Sequence, residues 1–237
     1  MKKLIENIKL FFCSNSLDEI AKLTGGDKKY GHDYIPIYEN HFKHLRNKKL
    51  KLLEIGVGGY EDKHSGGESL RMWAHFFKKS SIYGLDINEK DLNVPHNVTI
   101  LKGDQSNSKE IERIARTKGM FDIIIDDGSH KPKDVIKTFE VLFKHLNEKG
   151  IYVIEDTQTS YWPDFGGTLK DTDSRATKYF KDKTDGLNHS EYLIKNYEPS
   201  NFDKFITSIH FYHNIIFVKK GRNNNKSLFV KDGVLNL

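Results

Sequence analysis

Short apolar runs alternate with amphipathic stretches from residue 50 onwards, and this alternation predicts a sheet of parallel strands joined by helices. The apolar runs are predicted to be strands at residues 50–55, 81–87, 98–102, 121–125 and 151–154. The amphipathic stretches between them predict helices at residues 70–77, 108–116 and 133–146. Such a pattern is typical of a doubly wound, Rossmann-like α/β fold.

Further elements are expected on both sides of this alternating core. Residues 1–12, 17–23 and 37–46 predict helices, the second with capping-box spacing from Ser16 to Glu19 and the third with Pro36 near its first turn. Residues 1–48 would then form a helical N-terminal cap.

The C-terminal part of the chain changes character twice. Residues 157–200 are irregular and rich in aromatic residues and aspartate, which favours an inserted lid. Residues 205–211 and 214–219 predict an antiparallel pair that finishes the sheet. We therefore expect residues 1–237 to form a single α/β domain, mostly parallel with an antiparallel last strand.

Composition narrows the class of protein. Among 237 residues, 37% are hydrophobic and 30% are charged, which fits a soluble globular protein. No apolar run approaches the length of a membrane span, and no signal-peptide cleavage site follows the first helix, so we expect a cytoplasmic protein without membrane contact. The single cysteine excludes an internal disulfide.

The positive charge is spread thinly along the chain. The net charge of +5 comes from short runs such as Lys28–Lys29, which we interpret as solvated surface. No basic groove is visible, so a nucleic-acid partner is not expected.

Acidic residues follow two consecutive strands of the predicted sheet. Asp127 comes just after the fourth strand, and Glu155 and Asp156 follow the fifth. Because parallel strands end at the same edge, these carboxylates would gather there and repel one another without a cation. We therefore expect a Mg²⁺ site, with Mn²⁺ or Fe²⁺ as alternatives. His130, three residues after Asp127, is the candidate general base.

A glycine-rich turn after the first strand predicts a bound cofactor. The segment LLEIGVGG lacks the G-x-G-x-x-G spacing that a pyrophosphate needs. Asp86, at the end of the second strand, is placed to accept hydrogen bonds from ribose hydroxyls, although a turn or capping role explains it equally well. Glu54 would repel a pyrophosphate but suits the amino group of an amino acid moiety. Together with GDQS after the third strand, these features favour S-adenosylmethionine over NAD.

Eight motifs occur together between residues 24 and 190: DK-x3-H-x-Y, LEIGVGG, GGESLRMW, GLDI, GDQS, DDGSH, IEDTQTSYWPDFGG and DGLNH. In combination they resemble the macrolide-sugar O-methyltransferases of the mycinamicin and macrocin type. The resemblance implies a class I methyltransferase fold that binds S-adenosylmethionine and Mg²⁺ and methylates a sugar hydroxyl. Some relatives carry a long extra N-terminal domain that this chain lacks, so a homo-oligomer is left open.

The resemblance also implies roles for individual residues. Metal ligands are implied at Asp127, Glu155 and Asp156, and the base at His130. Cofactor contacts are implied in the first turn, in the following helix start and after the second and third strands, at Glu54, Gly56, Gly58, Ser69, Asp86, Asp104 and Gln105. Two roles stay open for Asp126: contact with the cofactor, or support of the metal ligands from behind.

The acceptor site is expected to be aromatic. Tyr161 and Trp162 offer flat faces for a sugar ring, although a packed loop core explains them almost as well. His32 and Tyr34 in the DK-x3-H-x-Y loop, and His189 in DGLNH, are further candidates for substrate contact. We favour a small-molecule sugar substrate, such as a nucleotide-activated heptose or deoxyhexose of a surface polysaccharide.

Three other functions stay open from the sequence. An N-methyltransferase of a small phosphorylated metabolite would keep the fold and cofactor, but an amine needs less lowering of its pKa, so a metal requirement favours an oxygen acceptor. An NAD-dependent oxidoreductase and a non-catalytic carbohydrate-binding module are the remaining alternatives.

Overall fold

The computed structural model of the chain describes residues 16–170 and 174–236. Its main feature is a seven-stranded sheet with the order β3-β2-β1-β4-β5-β7-β6, and a separate two-stranded ribbon is formed by β8 and β9. The strands are β1 Lys51–Ile55, β2 Ser81–Asp86, β3 Val98–Lys102, β4 Phe121–Asp126, β5 Leu146–Ile154, β6 Ile206–Tyr212, β7 Ile215–Lys220, β8 Val230–Lys231 and β9 Val234–Leu235.

Eight α-helices lie within the described residues. They are α1 Leu17–Thr24, α2 Asp27–Tyr30, α3 Ile35–Phe42, α4 Glu68–Phe76, α5 Ser108–Lys118, α6 Pro132–Leu142, α7 Ala176–Asp182 and α8 Asn201–Phe205. Short 3₁₀ helices extend α3 and α6 and cover Thr157–Tyr161, Pro163–Phe165 and Asp185–Glu191. Among these described residues, no helix has the length and apolar character needed to cross a bilayer.

The chain divides into two compact units, which we describe separately. The first comprises Met1–Glu110 with Ile123–Gly128, and the second comprises Ile111–Asp122 with Ser129–Leu237. The expectation of a single domain over residues 1–237 stays a prediction.

The first unit is organised by parallel strands and an aromatic core. β1 pairs in parallel with β2 and with the part of β4 that belongs to this unit, with Ile55 opposite Asp126. Trp73 of α4 is fully buried, and its ring lies 4.9 Å from Tyr38 and 5.8 Å from Phe42 of α3. Burial of these rings fixes the helices before β1 against the helix that follows it.

The second unit has an aromatic core of its own. Phe139 of α6 lies 5.1 Å from Tyr152 of β5 and 4.9 Å from Phe180 of α7, measured between ring centroids. Phe180 has no exposed surface, so this residue of the predicted lid belongs to the core of the unit. β7 pairs antiparallel with both β5 and β6, which confirms the antiparallel last strand.

The predicted α/β class is confirmed, and the differences are local. The helix predicted at residues 1–12 lies outside the described residues. Ser16 precedes α1 as expected, but its side chain makes no capping hydrogen bond, so the capping-box prediction is wrong. The loop expected before α3 contains the short helix α2, and β5 begins five residues earlier than the apolar run, at Leu146. Polar residues at the start of β5 hide this extension from the sequence pattern.

A cluster of three basic residues around Glu112 in the second unit gives the fold a pH dependence. Glu112 of α5 lies 2.8 Å from Lys144 Nζ, 2.6 Å from Arg116 Nε and 3.1 Å from His145 Nε2. Hydrogen bonds from Lys144, Arg116 and His145 lower the pKa of the Glu112 carboxyl from 4.5 to about 2. Because the pKa of Glu112 is lower in the folded state than in the unfolded state, its ionised carboxylate stabilises the fold at any pH above the unfolded pKa. This stabilisation is lost as the pH falls towards the folded pKa.

We expect Glu112→Gln to lower the free energy of unfolding near neutral pH by about 0.5–1 kcal/mol, a small effect because Lys144 and Arg116 are largely exposed. The difference from the parent should shrink between pH 4.5 and about 2, as followed by urea unfolding at each pH. Glu148→Gln is the matched control, since its 3.4 Å contact with Arg222 joins two exposed side chains. Equal pH profiles for the parent and Glu112→Gln would contradict this assignment.

Candidate functional site

The first glycine turn is packed against the end of β4, backbone against backbone. Gly56 has φ +91°, and a Cβ at this position would lie 1.9 Å from the carbonyl oxygen of Asp127. Gly56 N donates to Leu85 O at 2.8 Å, and Asp127 N donates to Ile55 O at 2.9 Å. Only glycine satisfies both the backbone angle and the space, so this contact fixes where Asp127 begins its loop.

A buried ion cluster connects this turn to α2. Lys28 Nζ lies 2.6 Å from Asp127 Oδ2 and 3.2 Å from Glu54 Oε1. The Lys28 side chain is 3% exposed, that of Glu54 is 0% exposed and that of Asp127 is 20% exposed. Burial raises the pKa of the Glu54 carboxyl, Lys28 opposes this shift, and the charge of Asp127 adds to it. Ser69 Oγ donates to the second oxygen of Glu54 at 3.0 Å.

The burial of Lys28 corrects the sequence interpretation. The pattern predicts solvated surface for the Lys28–Lys29 run, and only Lys29 fits that expectation, with an ion pair to Asp18. Lys28 is therefore a site residue that sequence reasoning misses. Its one signal is its place in the DK-x3-H-x-Y motif, because charge and hydropathy alone describe an ordinary surface lysine.

Asp86 supports the glycine turn from β2. Its two carboxylate oxygens accept hydrogen bonds from Val57 N at 2.9 Å and Asn88 N at 2.8 Å. These two hydrogen bonds stabilise the turn, which is the role predicted for Asp86 as the alternative to ribose binding. Because each carboxylate oxygen accepts more than one hydrogen bond, the ribose role stays a prediction. Gly58, also predicted to contact the cofactor, has φ +76° in the same turn.

The remaining predicted cofactor residues of the first unit form two local groups. Gln105 Nε2 donates to Asp126 Oδ1 at 2.6 Å, and both side chains are buried. Asp104 accepts hydrogen bonds from the backbone and hydroxyl of Ser106 at 2.8 Å and 2.9 Å, which closes a local turn. Asp126 is 1% exposed, and this placement fits a supporting role behind the loop.

His130 and Asp156 come together in the second unit. Their Nε2 and Oδ2 atoms are 3.9 Å apart, and the side chains are 24% and 16% exposed. Both residues have a left-handed backbone, with φ +55° and +54°. Histidine and aspartate enter this region more readily than most residues, and such outliers concentrate at functional sites. Glu155, next to Asp156 in the chain, is 3% exposed.

A pocket of about 460 Å³ lies in the second unit between the segment after β5, helix α7 and the β6–β7 turn. Its lining includes Tyr161, Lys181, Phe211, Tyr212 and His213. The pocket therefore includes one predicted substrate residue, Tyr161. It also includes the tip of the β6–β7 hairpin, for which the sequence pattern indicates only a structural role. Trp162 is 48% exposed and packs 5.9 Å from Phe165.

The other predicted substrate residues have defined neighbours. Tyr34 is 1% exposed and stacks on His32 with ring centroids 5.0 Å apart, so its ring belongs to the core of the first unit. His189 Nδ1 lies 3.1 Å from Gly186 O and 3.3 Å from Asn223 Nδ2 in the second unit. Substrate contact by these three residues stays a prediction.

Comparison with known proteins gives consistent matches. Residues 53–157 match a family model described as a methyltransferase domain. Mycinamicin VI 2''-O-methyltransferase of Micromonospora griseorubida is 43% identical over 90% of this chain and 55% of its own length. Demethylmacrocin O-methyltransferase of Streptomyces fradiae is 39% identical over 90% of this chain and 55% of its own length.

A solved structure matches at the same level. The methyltransferase MycE of mycinamycin biosynthesis, in complex with Mg and SAH, superposes with a TM-score of 0.85 and 40% identity. The match covers 90% of this chain and 56% of MycE. The chain thus spans about half the length of these relatives, 55% for both curated proteins.

The contact between Gly56 and Asp127 is testable through stability. We expect Gly56→Ala to lower the free energy of unfolding by about 2–5 kcal/mol, from left-handed strain together with overpacking. Gly166→Ala is the matched control, because Gly166 also has φ +80° but a Cβ added there would meet no atom within 4 Å. It should lose only the strain, about 1–2 kcal/mol, in the same urea unfolding experiment. Equal losses in the two variants would exclude the close contact.

Proposed function

Because this chain is similar over about 90% of its length to the mycinamicin and macrocin O-methyltransferases, we propose that it belongs to the macrolide-sugar O-methyltransferase family and transfers a methyl group from S-adenosylmethionine to a sugar hydroxyl. The observation that carries the proposal is the pairing of His130 with Asp156, 3.9 Å apart on left-handed backbone, in the motifs DDGSH and IEDTQTS. A base beside a carboxylate is the arrangement that proton removal from a hydroxyl needs.

We propose that Asp127, Glu155 and Asp156 hold a divalent cation, Mg²⁺ or alternatively Mn²⁺ or Fe²⁺. Asp127 follows the end of β4, and the other two follow the end of β5, so each acid stands directly after a strand. The donor set consists of carboxylate oxygens, which suit a hard cation. The 20% exposure of the Asp127 side chain and the 16% exposure of the Asp156 side chain leave both carboxylates reachable.

The proposed cofactor site uses the glycine turn after β1, with Gly56 and Gly58, and Asp86 would accept hydrogen bonds from the ribose hydroxyls. Ser69, Asp104, Gln105 and Asp126 complete the set. Glu54 is fully buried and already contacts Lys28 and Ser69, so we place its main contribution in holding the turn. S-adenosylhomocysteine is the expected product, and MycE is the relative whose structure contains it together with Mg.

In the proposed reaction the acceptor oxygen attacks the methyl carbon, a C–O bond forms as the C–S bond breaks, and His130 Nε2 accepts the hydroxyl proton. A bound divalent cation supplies Lewis acidity that lowers the pKa of the hydroxyl. The positive charge of the sulfonium is spread over the reacting atoms and passes with the proton to His130, so exclusion of water by the surrounding aromatic side chains favours the step.

We propose that the acceptor is the sugar of a glycoside and that Tyr161 and Trp162 contribute to its site, with His32, Tyr34 and His189 as secondary candidates. Two of the relatives are named for mycinamicin VI and for a rhamnosyl tetracenomycin, the latter from Streptomyces olivaceus at 41% identity over 86% of this chain and 54% of its own length. These names give no support to a surface-polysaccharide heptose. Aromatic faces around a pocket of about 460 Å³ fit a sugar with an apolar attachment.

Cofactor choice separates this proposal from an NAD-dependent oxidoreductase. We expect S-adenosylhomocysteine to raise the unfolding temperature, because a ligand that binds only the folded state stabilises it, whereas NAD should leave that temperature unchanged. Differential scanning measures both. Stabilisation by NAD alone would overturn the proposal.

The role of His130 is tested by His130→Ala. Loss of a general base should lower the rate of methyl transfer about 100- to 10,000-fold while the affinity for S-adenosylhomocysteine stays the same. The assay screens mycinamicin VI and a panel of nucleotide sugars, with and without chelator. His96→Ala, which changes an exposed histidine of the first unit, is the control. Turnover within about twofold of the parent would remove His130 from the mechanism.

A further inference from the structure

Lys28 is buried in the first unit, which is unusual for a lysine. Its side chain is 3% exposed, although lysine is rarely buried unless it is paired. Moving an ammonium group out of water costs several kcal/mol, so its partners must offset that cost. Two of these partners are Glu54 and Asp127, at 3.2 Å and 2.6 Å.

The shorter contact involves the carboxylate that we propose as a metal ligand. Lys28 Nζ donates to Asp127 Oδ2, and the backbone N–H of Asp127 is held by Ile55 O at 2.9 Å. One carboxylate oxygen and the backbone are therefore both fixed. A carboxylate held in this way presents its other oxygen in one orientation, which is how a supporting residue prepares a metal ligand.

Lys28 itself is fixed by the segment that contains it. Its carbonyl oxygen accepts a hydrogen bond from Tyr34 N at 2.8 Å, and Asp27 O accepts from Gly31 N and His32 N at 2.7 Å and 2.9 Å. Tyr34 is buried at 1% exposure, which anchors the end of the segment. The ammonium group thus comes from a closed turn, with little freedom to withdraw into solvent.

We propose that Lys28 is a positioning residue that orients the Asp127 carboxylate for the divalent cation. The inference rests on the proposed function, since it concerns the same metal site. It assigns a role to the DK part of the DK-x3-H-x-Y motif: order in residues 27–34 and affinity for the cation support each other.

Electrostatics alone predicts the opposite effect of removing Lys28. An ammonium repels a nearby dication, so a purely electrostatic neighbour would weaken metal binding, and its removal would tighten binding. A positioning residue strengthens metal binding, and its removal weakens it. The sign of the change therefore separates the two roles.

The experiment is a calorimetric titration of the full chain, freed of metal by chelation, with Mn²⁺ in the absence of cofactor and acceptor. We expect Lys28→Met to weaken Mn²⁺ binding about 10- to 100-fold, the usual effect of losing a residue that supports a metal ligand. Lys29→Met is the matched control, because the neighbouring lysine pairs with Asp18 at the surface. It should bind Mn²⁺ like the parent chain.

A second variant separates positioning from simple charge balance. Lys28→Met leaves Glu54 buried beside an apolar side chain, whereas Lys28→Met with Glu54→Gln removes that charge as well and protects the fold. If Lys28 orients Asp127, the double variant stays weakened for Mn²⁺. Recovery of parental affinity in the double variant would show that Lys28 serves only Glu54, and would overturn the inference.

Failure of the inference is distinguishable from failure of the proposed function. If the parent chain binds no Mn²⁺, the proposed metal site is wrong and the inference falls with it. If the parent binds Mn²⁺ and Lys28→Met binds it equally well or more tightly, the metal site stands and only the role of Lys28 is wrong. Urea unfolding of each variant confirms that the titrated protein is folded.

Discussion

The close approach of Gly56 to the carbonyl oxygen of Asp127 is the contact on which the first unit's candidate site depends. The approach is possible because residue 56 has neither a side chain nor a preference for negative φ. With the two backbones in contact, the loop after β4 starts at a fixed point beside the turn after β1. Glu54, near the end of the neighbouring strand β1, then lies close enough to Asp127 for both carboxylates to contact the ammonium group of Lys28.

Charge balance follows from this geometry. Two carboxylates close together in a poorly solvated place are unstable without a cation, and Lys28 supplies one positive charge for both. When both carboxylates are ionised, one negative charge stays in excess, which makes Asp127 a suitable partner for a further cation. The buried lysine and the proposed divalent ion would thus both supply positive charge to these carboxylates. The lysine belongs to the chain, and the ion comes from solution.

Much of the sheet is predictable because buried parallel strands leave a clear record in the sequence. Val98–Lys102 matches its prediction in full, and the other strands differ mainly at their ends. The acidic residues after β4 and β5, and the histidine after β4, can be proposed as site residues for the same reason, because each follows a recognisable strand. Lys28 is not identifiable, because its burial depends on two carboxylates that are distant in sequence. The pocket at the β6–β7 turn escapes prediction because its aromatic residues look like ordinary strand residues until the hairpin folds beside Tyr161.

The left-handed backbone at Asp156 has a consequence for the order of the two acids after β5. Exchanging Glu155 and Asp156 would keep the same charge and the same number of oxygen donors. It would also place a glutamate at φ +54°, where the longer side chain lacks the local hydrogen bonding through which aspartate tolerates that angle. The dipeptide is therefore directional: backbone conformation, rather than ligand chemistry, decides which acid comes second.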